Sequence, residues 1–327
     1  MKRTDIMSMN KDTFANKPSL NPRIIYLLGV FSLVISGALW GSEGAPVRIS
    51  YAHGMTPLSL SLFRATFASI IMGIYAIYMG RKDVFILSRT ELFPCFISGC
   101  FGVGICSTAA AFAMGRIPIG LTFLLINTAP FWVMILARII WKERVTWFQM
   151  IALFIGISGV WFAVGGVKFQ PYNVLGLIGA LGAGLGYAIY VLNGKHGMGK
   201  EDPLKAYVQM FIWGALCLWI ICISTGQLSS LLVSDWEAWI SVLYLTVFPG
   251  IGAFGILMLS LRVVSGGVAA IVSMTEIPFS MLWSWLFLSE IPSISALKGG
   301  ILIIGAVTML SLEGFIMSRK PDNLRSP

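Results

Sequence analysis

The sequence predicts an all-α membrane protein with ten transmembrane helices in two inverted five-helix repeats. Three observations lead to this fold class: the hydropathy, the pattern of basic residues and an internal repeat. The 327 residues are 57% hydrophobic and 11% charged, with a mean hydropathy of +0.84, whereas a soluble domain carries about 25% charged residues. Stretches such as 117–137, 169–194 and 206–234 contain no charge and reach the roughly 20 residues that a helix needs to cross a bilayer.

The apolar stretches define ten spans and the domain organisation. A β-barrel would alternate in polarity over segments of about 10 residues, whereas these stretches are longer and uniformly apolar. The first 23 residues are polar and basic, and the apolar run after them lacks a small-residue cleavage site, which predicts an uncleaved first helix. We expect a cytoplasmic tail over 1–23, a first repeat over 24–166, a second repeat over 173–315 and a cytoplasmic tail over 316–327. The predicted spans are 24–47, 57–79, 91–115, 118–140, 147–166, 173–194, 204–226, 236–261, 265–288 and 293–315.

Basic residues predict the orientation of these spans. If the amino terminus is cytoplasmic, the two tails and the loops on that side hold 18 of the 23 lysines and arginines. The loops on the other side then hold only Arg116 and Lys168. Because lysine and arginine are retained on the cytoplasmic side, both termini are predicted to be cytoplasmic, in a multi-pass protein of the cell (inner or plasma) membrane.

An internal repeat relates the two halves at an offset of about 146–147 residues. Each half has five spans, and because five is odd, the second half must enter the membrane in the opposite orientation. The loop after the fourth span carries Lys142 and Arg144 beside Glu143, whereas the matching Glu290 has no basic neighbour. The first loop lies inside and its copy outside, where basic residues would oppose the orientation. The matched residues are Trp40 with Tyr187, Arg48 with Lys195, Pro57 with Pro203, Glu91 with Glu237, Gly120 with Gly266, Pro130 with Pro278 and Glu143 with Glu290.

The chain resembles the EamA-type transporters of the drug/metabolite transporter superfamily over about residues 24–315. The resemblance rests on ALWGS at 38–42, Arg64, the run from Ala129 and Pro130 through WKERVTW, GISG at 156–159, and the second copy from Glu276 and Pro278 to Glu290. It differs from the usual pattern in that Glu276 stands two residues before the proline and IPSIS follows Glu290. The resemblance implies ten helices in two inverted repeats. It also implies outward transport of a small organic metabolite, such as an amino acid or a related compound, by alternating access.

Ionisable residues inside a span are costly, about 2.5–3.5 kcal/mol each, so they mark functional candidates. Glu43 and Arg64 fall in the outer half of the first two spans, where they either form an ion bridge between helices or bind a charged group of the substrate. Glu276 falls near the middle of the ninth span, where it is a candidate to bind substrate or a proton, or to form a hydrogen bond between helices. Lys298 stands about 5 residues into the tenth span from the outside, which allows its side chain to extend to the interface, and we favour a structural role for it.

Proline residues mark candidate helix breaks at matching places in the two halves. Pro130 follows Asn127 and Thr128 in the fourth span, and Pro278 follows Thr275 and Glu276 in the ninth. Proline lacks a backbone N–H and frees the carbonyl one turn earlier, so each break is either a binding element facing a cavity or a packing kink. Interrupted helices at equivalent places are typical of transporter binding sites.

Aromatic residues are candidates to line or gate the pathway, although each also fits packing or the membrane interface. Trp40 and Tyr187 occupy matching positions and are the preferred pair. The aromatic candidates are Trp40, Tyr187, Tyr190, Trp283 and Trp285.

Other function classes find little support. The sequence has no phosphate-binding loop, no HExxH and no GxSxG motif, and no cysteine pair or histidine cluster with metal-ligand spacing. We therefore predict no enzyme activity, no cofactor, no metal site and no nucleic-acid partner. The predicted partners are the lipid bilayer and a small-molecule substrate, with proton coupling as a further candidate.

The alternatives to a metabolite exporter are a channel, a membrane-embedded sensor, or a nucleotide-sugar or drug carrier of the same superfamily. A channel would show polar rings along a pore, whereas the ionisable residues here are isolated.

The topology can be tested by labelling single cysteines placed beside Lys82, Lys142, Lys200 and at each terminus. Because these sites lie on the side rich in basic residues, a membrane-impermeant thiol reagent added from outside should leave all five unlabelled. A cysteine beside Lys168 serves as the outside control. Labelling of the five sites with a silent control would contradict the predicted orientation.

Overall fold

The structure is a computed structural model that describes residues 21–114, 116–117, 119–166, 171–197, 202–233, 235–289 and 291–317. Most of the two predicted tails, together with Lys168, Lys200 and Glu290, lies outside the described residues. Within these ranges the chain forms helices joined by turns and loops, and it contains no β-strand. The all-α prediction is confirmed.

Ten helical spans follow one another along the described parts of the chain. Nine are long and apolar enough to cross a membrane, and the fifth is a shorter apolar helix of 17 residues, which is about 25 Å long at 1.5 Å per residue. The predicted membrane fold of ten helices in two inverted repeats is therefore confirmed. The spans are Pro22–Ala52, Pro57–Tyr78, Arg89–Ala110, Leu121–Ile140, Trp147–Ala163, Val174–His196, Leu204–Ser224, Trp236–Ser260, Gly266–Phe287 and Ile294–Glu313.

Five spans contain an interruption or an irregular segment. The sequence predicted the interruptions near the two prolines but not the one in the first span, which continues past the predicted residue 47 after a turn at Ser42 and Glu43. The helices on either side of the interruptions are Pro22–Gly41 and Gly44–Ala52, Ile119–Ile126 and Ala129–Ile140, and Gly266–Ser273 and Glu276–Leu288. In the third and eighth spans, a π-helix lies between α-helices: Arg89–Ile97, Ser98–Ile105 and Cys106–Met114, then Trp236–Leu245, Thr246–Ala253 and Phe254–Ser260.

The irregular features recur at equivalent places in the two repeats. The π-helices begin at Ser98 and Thr246, which are 148 residues apart. Lys142 and Ser289, 147 residues apart, are the non-glycine residues with positive φ in the described chain, at 54° and 55°. A left-handed conformation is costly for such residues, so its recurrence at equivalent positions is a further sign of the repeat.

Polar caps explain where several spans begin. Thr56 and Asp202 stand directly before Pro57 and Pro203, and each side chain accepts a hydrogen bond from the backbone N–H three residues further on. Proline is favoured at the first helical position because its missing N–H has no partner within the helix there. The same cap and proline therefore start the second span in each repeat.

The two repeats pack into each other through glycines at matching positions. A Cβ atom at Gly37 would lie 3.2 Å from the backbone nitrogen of Glu276, and one at Gly184 would lie 2.9 Å from the carbonyl oxygen of Ile126. The first span thus packs against the interruption of the ninth, and the sixth span packs against that of the fourth. Small residues allow such close contact between helices. Each repeat covers the broken helix of the other.

Polar contacts near the helix ends connect spans both between the repeats and within the second repeat. Lys205 and Glu91 form an ion pair of 2.7 Å between the seventh and third spans. The Nζ atom of Lys195, at the end of the sixth span, donates hydrogen bonds of 2.6 and 2.8 Å to the carbonyls of Leu261 and Val264. Both carbonyls belong to the loop that follows the helix Phe254–Ser260, so the lysine connects the sixth span to the loop after the eighth.

The next residue extends this connection to the first repeat. His196 stacks on Trp141 with ring centroids 4.5 Å apart and 11° between the planes. Its Nε2 atom lies 2.6 Å from Oε1 of Glu143 without the alignment of a hydrogen bond. The end of the sixth span is therefore in contact with the loops that follow both the fourth and the eighth spans.

A pair of alanine substitutions tests the packing of the two repeats. In Gly184→Ala the added methyl group would meet the carbonyl oxygens of Ile126 and Leu125, at 2.9 and 3.3 Å, which cannot rotate away. We expect a lower melting temperature in detergent, consistent with the roughly 1–3 kcal/mol that overpacking costs. Gly182→Ala is the matched control because a Cβ atom there meets nothing within 4 Å, so it should be neutral or slightly stabilising. Equal melting temperatures for the two variants would contradict the packing described here.

Candidate functional site

A hydrogen bond joins the two helix interruptions in the middle of the bundle. Asn127 Nδ2 donates to Oε1 of Glu276 at 3.1 Å and to the carbonyl of Phe123 at 3.1 Å. In their spans, Leu121–Ile140 and Gly266–Phe287, six and ten residues precede Asn127 and Glu276. Asn127 is buried and Glu276 is half-buried. The sequence predicted both residues as candidates, and the structure places the carboxyl group of one repeat against the amide of the other.

Threonine side chains close the helix ends at both interruptions. The hydroxyl of Thr128 donates to the carbonyl of Leu125 at 2.6 Å, and the hydroxyl of Thr275 donates to the carbonyl of Val272 at 2.8 Å. Their backbone N–H groups bond to the same carbonyls, which makes a tightened last turn. The two threonines, predicted as substrate-binding candidates, thus take the same position in each repeat and satisfy their own helices.

The two prolines differ in what happens to the carbonyl one turn earlier. The Met274 carbonyl, four residues before Pro278, accepts the N–H of Ile277 at 3.1 Å. The Ile126 carbonyl, four residues before Pro130, lies against Gly184. The predicted breaks are present. The Met274 carbonyl is paired within its own span, however, and the Ile126 carbonyl lies against the sixth span.

Aromatic rings from both repeats lie beside this region. Trp40 contacts Tyr187 edge-on, with centroids 5.9 Å apart, and contacts Phe254 at 5.2 Å. The Tyr187 hydroxyl donates to Oγ of Ser273 at 3.0 Å. The structure therefore brings the predicted pair together, and Tyr187 lies within electrostatic reach of Glu276.

The other aromatic candidates have different surroundings. Tyr190 is fully buried, and its hydroxyl donates to the carbonyl of Phe254 at 3.4 Å. The Trp283 indole donates to the carbonyl of Ala38 at 2.9 Å, which connects the ninth span to the first. Trp285 is exposed on the outer surface of the bundle. Of the five, only Trp40 and Tyr187 combine half-burial with a position next to the central polar pair.

A second charged pair lies at the interruption of the first span. Arg64 donates from its two terminal nitrogens to the two carboxylate oxygens of Glu43, at 2.7 and 3.4 Å. The side chains remain 20% and 29% exposed. Glu43 also lies within electrostatic reach of Glu276. The structure thus contains the ion bridge that was one of two sequence hypotheses. Lys298 is exposed, and its structural role stays a prediction.

Sequence reasoning missed three neighbours of the central pair and one interruption. Phe254, Ser273 and Cys106 were not candidates, although Ser273 stands one helical turn before Glu276 and therefore on the same face. Phe254 and Cys106 come from spans whose position only packing determines, and the Cys106 thiol lies within electrostatic reach of Glu276. The interruption beside Glu43 has a signal in the two glycines that flank it, Gly41 and Gly44.

Ten membrane helices in two inverted repeats, with polar side chains at paired interruptions near mid-span, define the class of membrane transporters built from inverted repeats. The chain belongs to the EamA-like transporter family, whose profile matches residues 27–165 and again residues 174–312.

Relatives and a solved structure agree with this assignment. The chain is 22% identical over 294 residues to the uncharacterized transporter YdfC of Bacillus subtilis (strain 168), covering 90% of this chain and 94% of that protein. It is 24% identical over 287 residues to a probable terminal-alkyne amino-acid exporter of Streptantibioticus cattleyicolor, covering 86% and 93%. A solved crystal structure with 17% identity has a TM-score of 0.73 and covers 89% of this chain and 98% of its own, which shows the same fold.

The bridge between Glu43 and Arg64 can be tested by its effect on stability. Glu43→Gln or Arg64→Gln alone leaves a partly buried charge without its partner. Each should therefore lower the free energy of unfolding, by about 1–2 kcal/mol given the exposure of the pair. The double variant should recover part of this loss, and so should a charge exchange. Thermal unfolding in detergent measures the coupling, and strictly additive effects would show that the bridge does not stabilise the fold.

Proposed function

We propose that this protein is a secondary transporter or facilitator that exports a small organic metabolite, most plausibly an amino acid or a related compound, by alternating access. The observation that carries the proposal is the hydrogen bond between Asn127 and Glu276, because it places a carboxyl group where the interrupted helices of the two inverted repeats meet. Binding sites at such a junction can be exposed to either side by a movement of one repeat against the other.

Differences between matching spans support the alternating mechanism. The first span is interrupted at Ser42 and Glu43, whereas its copy, the sixth, is helical throughout Val174–His196. The end of the sixth span is held by Lys195 and His196 against two loops. We infer that this arrangement is closed on the side of His196, and that the opposite state interchanges the conformations of the two spans. With cytoplasmic termini in the plasma membrane, the closed side is the cytoplasmic one.

The charge of the region supports a cationic group on the substrate. Glu43, Arg64 and Glu276 are charged residues within the described spans, and with both carboxyl groups ionised they sum to one negative charge. An ammonium group or a proton would balance it. Because desolvation disfavours a lone ionised carboxylate, Glu276 is suited to bind either one, and proton coupling is part of the proposal. The similarity to an amino-acid exporter supports an amine-bearing substrate.

A channel and a membrane-embedded sensor are the alternatives from other classes. A channel would need polar or charged residues in rings along a pore, whereas Glu43, Arg64 and Glu276 occur at isolated positions in three of the described spans. Saturable uptake of solutes into liposomes without single-channel current would support the carrier.

The role of Glu276 can be tested by measuring transport into liposomes across a pH series. Glu276→Gln keeps the size of the side chain and the hydrogen bond to Asn127 but removes the titrating group. We expect it to assemble normally and to lose transport at least tenfold or to lose the pH dependence of transport. Glu237→Gln is the control, since it makes the same change in the first turn of the eighth span. Identical rates and pH profiles for wild type and Glu276→Gln would remove Glu276 from the mechanism.

A further inference from the structure

We propose that Arg64 binds the carboxylate group of the substrate, and that Glu43 is an internal carboxylate that occupies Arg64 until the substrate displaces it. The inference rests on the proposed function and assigns a recognition role to a pair that would otherwise be only a bridge between helices. The substrate class is a small amino-carboxylate, whose ammonium group lies at Glu276 and whose carboxylate lies at Arg64.

The geometry of the pair is that of ligand recognition by arginine. Two nitrogens of the Arg64 guanidinium face the two oxygens of Glu43 at 2.7 and 3.4 Å, the side-by-side arrangement in which arginine binds carboxylate ligands. One of the two bonds is long. The side chains are 20% and 29% exposed, so the protein does not fully enclose the pair.

The position of Glu43 allows it to leave. It precedes the helix Gly44–Ala52 as its cap residue, yet its side chain makes no capping hydrogen bond. A Cβ atom at Gly44 would meet nothing within 4 Å, so there is open space beside the turn. Moving the Glu43 carboxylate away from Arg64 therefore breaks no helix cap.

The charges make this exchange selective for amino-carboxylates. A zwitterion adds no net charge, and its carboxylate replaces Glu43 at Arg64 while its ammonium group lies at Glu276. An amine without a carboxylate cannot displace Glu43. A carboxylate without an amine would place a third negative charge beside the two glutamates. Both would bind more weakly than the zwitterion.

Residues around the pair connect the displacement of Glu43 from Arg64 to the first span. Tyr51, on the helix Gly44–Ala52, lies within electrostatic reach of both Arg64 and Glu43. At the same turn, Tyr244 of the eighth span donates to Oγ of Ser42 at 2.8 Å. Displacement of Glu43 therefore occurs at the turn where the helix Gly44–Ala52 begins.

The test compares amino acids with their decarboxylated analogues in one experiment. Purified protein in liposomes is given an equimolar mixture of the twenty L-amino acids and the amines that decarboxylation of these acids yields, and uptake is measured by mass spectrometry. For the wild type we expect at least one amino acid to enter about tenfold or more faster than its amine, because a charge-assisted bidentate pair contributes that much discrimination. In Arg64→Gln this ratio should fall to about threefold or less.

Glu43→Gln separates recognition from a purely structural bridge. If Glu43 competes with the substrate, its neutralisation should lower the KM for the amino acid, whereas a structural bridge predicts only a loss of folded protein. The double variant, Glu43→Gln with Arg64→Gln, keeps no lone charge and should fold but show no preference for the acid. Melting temperatures of all samples identify variants that fail to fold.

Each result decides between the hypotheses. Uptake of amines as fast as amino acids by the wild type, or an unchanged ratio in a folded Arg64→Gln or double variant, would overturn the role of Arg64 while leaving the transporter proposal intact. An increased KM in folded Glu43→Gln would overturn the competition by Glu43. If neither amino acids nor amines enter, the proposed function itself fails and the inference fails with it.

Discussion

The structure depends on the requirement that backbone polar groups within a bilayer find partners inside the protein. The interruptions of the fourth and ninth spans would leave such groups exposed. Thr128 and Thr275 satisfy carbonyls of their own helices, and the opposite repeat covers the remainder by close packing at Gly184 and Gly37. Polar side chains can lie at these interruptions because each repeat packs against the interrupted helix of the other.

This reciprocal packing also explains why the site belongs to neither repeat alone. Asn127 lies in the first repeat and Glu276 in the second, and Trp40 and Tyr187 make the corresponding aromatic contact between them. A movement of one repeat against the other must change all of these contacts together. The interruption beside Glu43 has no counterpart in the sixth span, so the two repeats share a backbone plan but occupy different conformations. That difference is what an alternating mechanism requires.

The distribution of charge divides the ionisable residues by role. Lys205 and Glu91 form an ion pair near the starts of their spans, and Lys298, near the start of the tenth span, is exposed. Glu43, Arg64 and Glu276 lie further from the ends of their spans, where each charge needs a partner or a ligand. A buried bridge stabilises a fold only if its geometry offsets the desolvation of both charges. The two hydrogen bonds between Arg64 and Glu43 are unequal, at 2.7 and 3.4 Å, which supports the recognition role proposed for the pair.

The sequence by itself determined the class, the ten spans, the repeat and the residues around both prolines, because hydropathy, basic residues and proline act locally or through simple periodicity. It did not determine which candidates meet. Asn127 and Glu276 are 149 residues apart, and their contact follows from how two broken helices cross. The Met274 carbonyl, four residues before Pro278, was expected to be free, but a tightened turn pairs it with the N–H of Ile277. Phe254 and Cys106 reach the site only through packing of the third and eighth spans, and the turn at Glu43 is stabilised by Arg64 and Tyr244 from other spans. Contacts between distant helices depend on shape and the satisfaction of polar groups in three dimensions, and only the tertiary structure decides them.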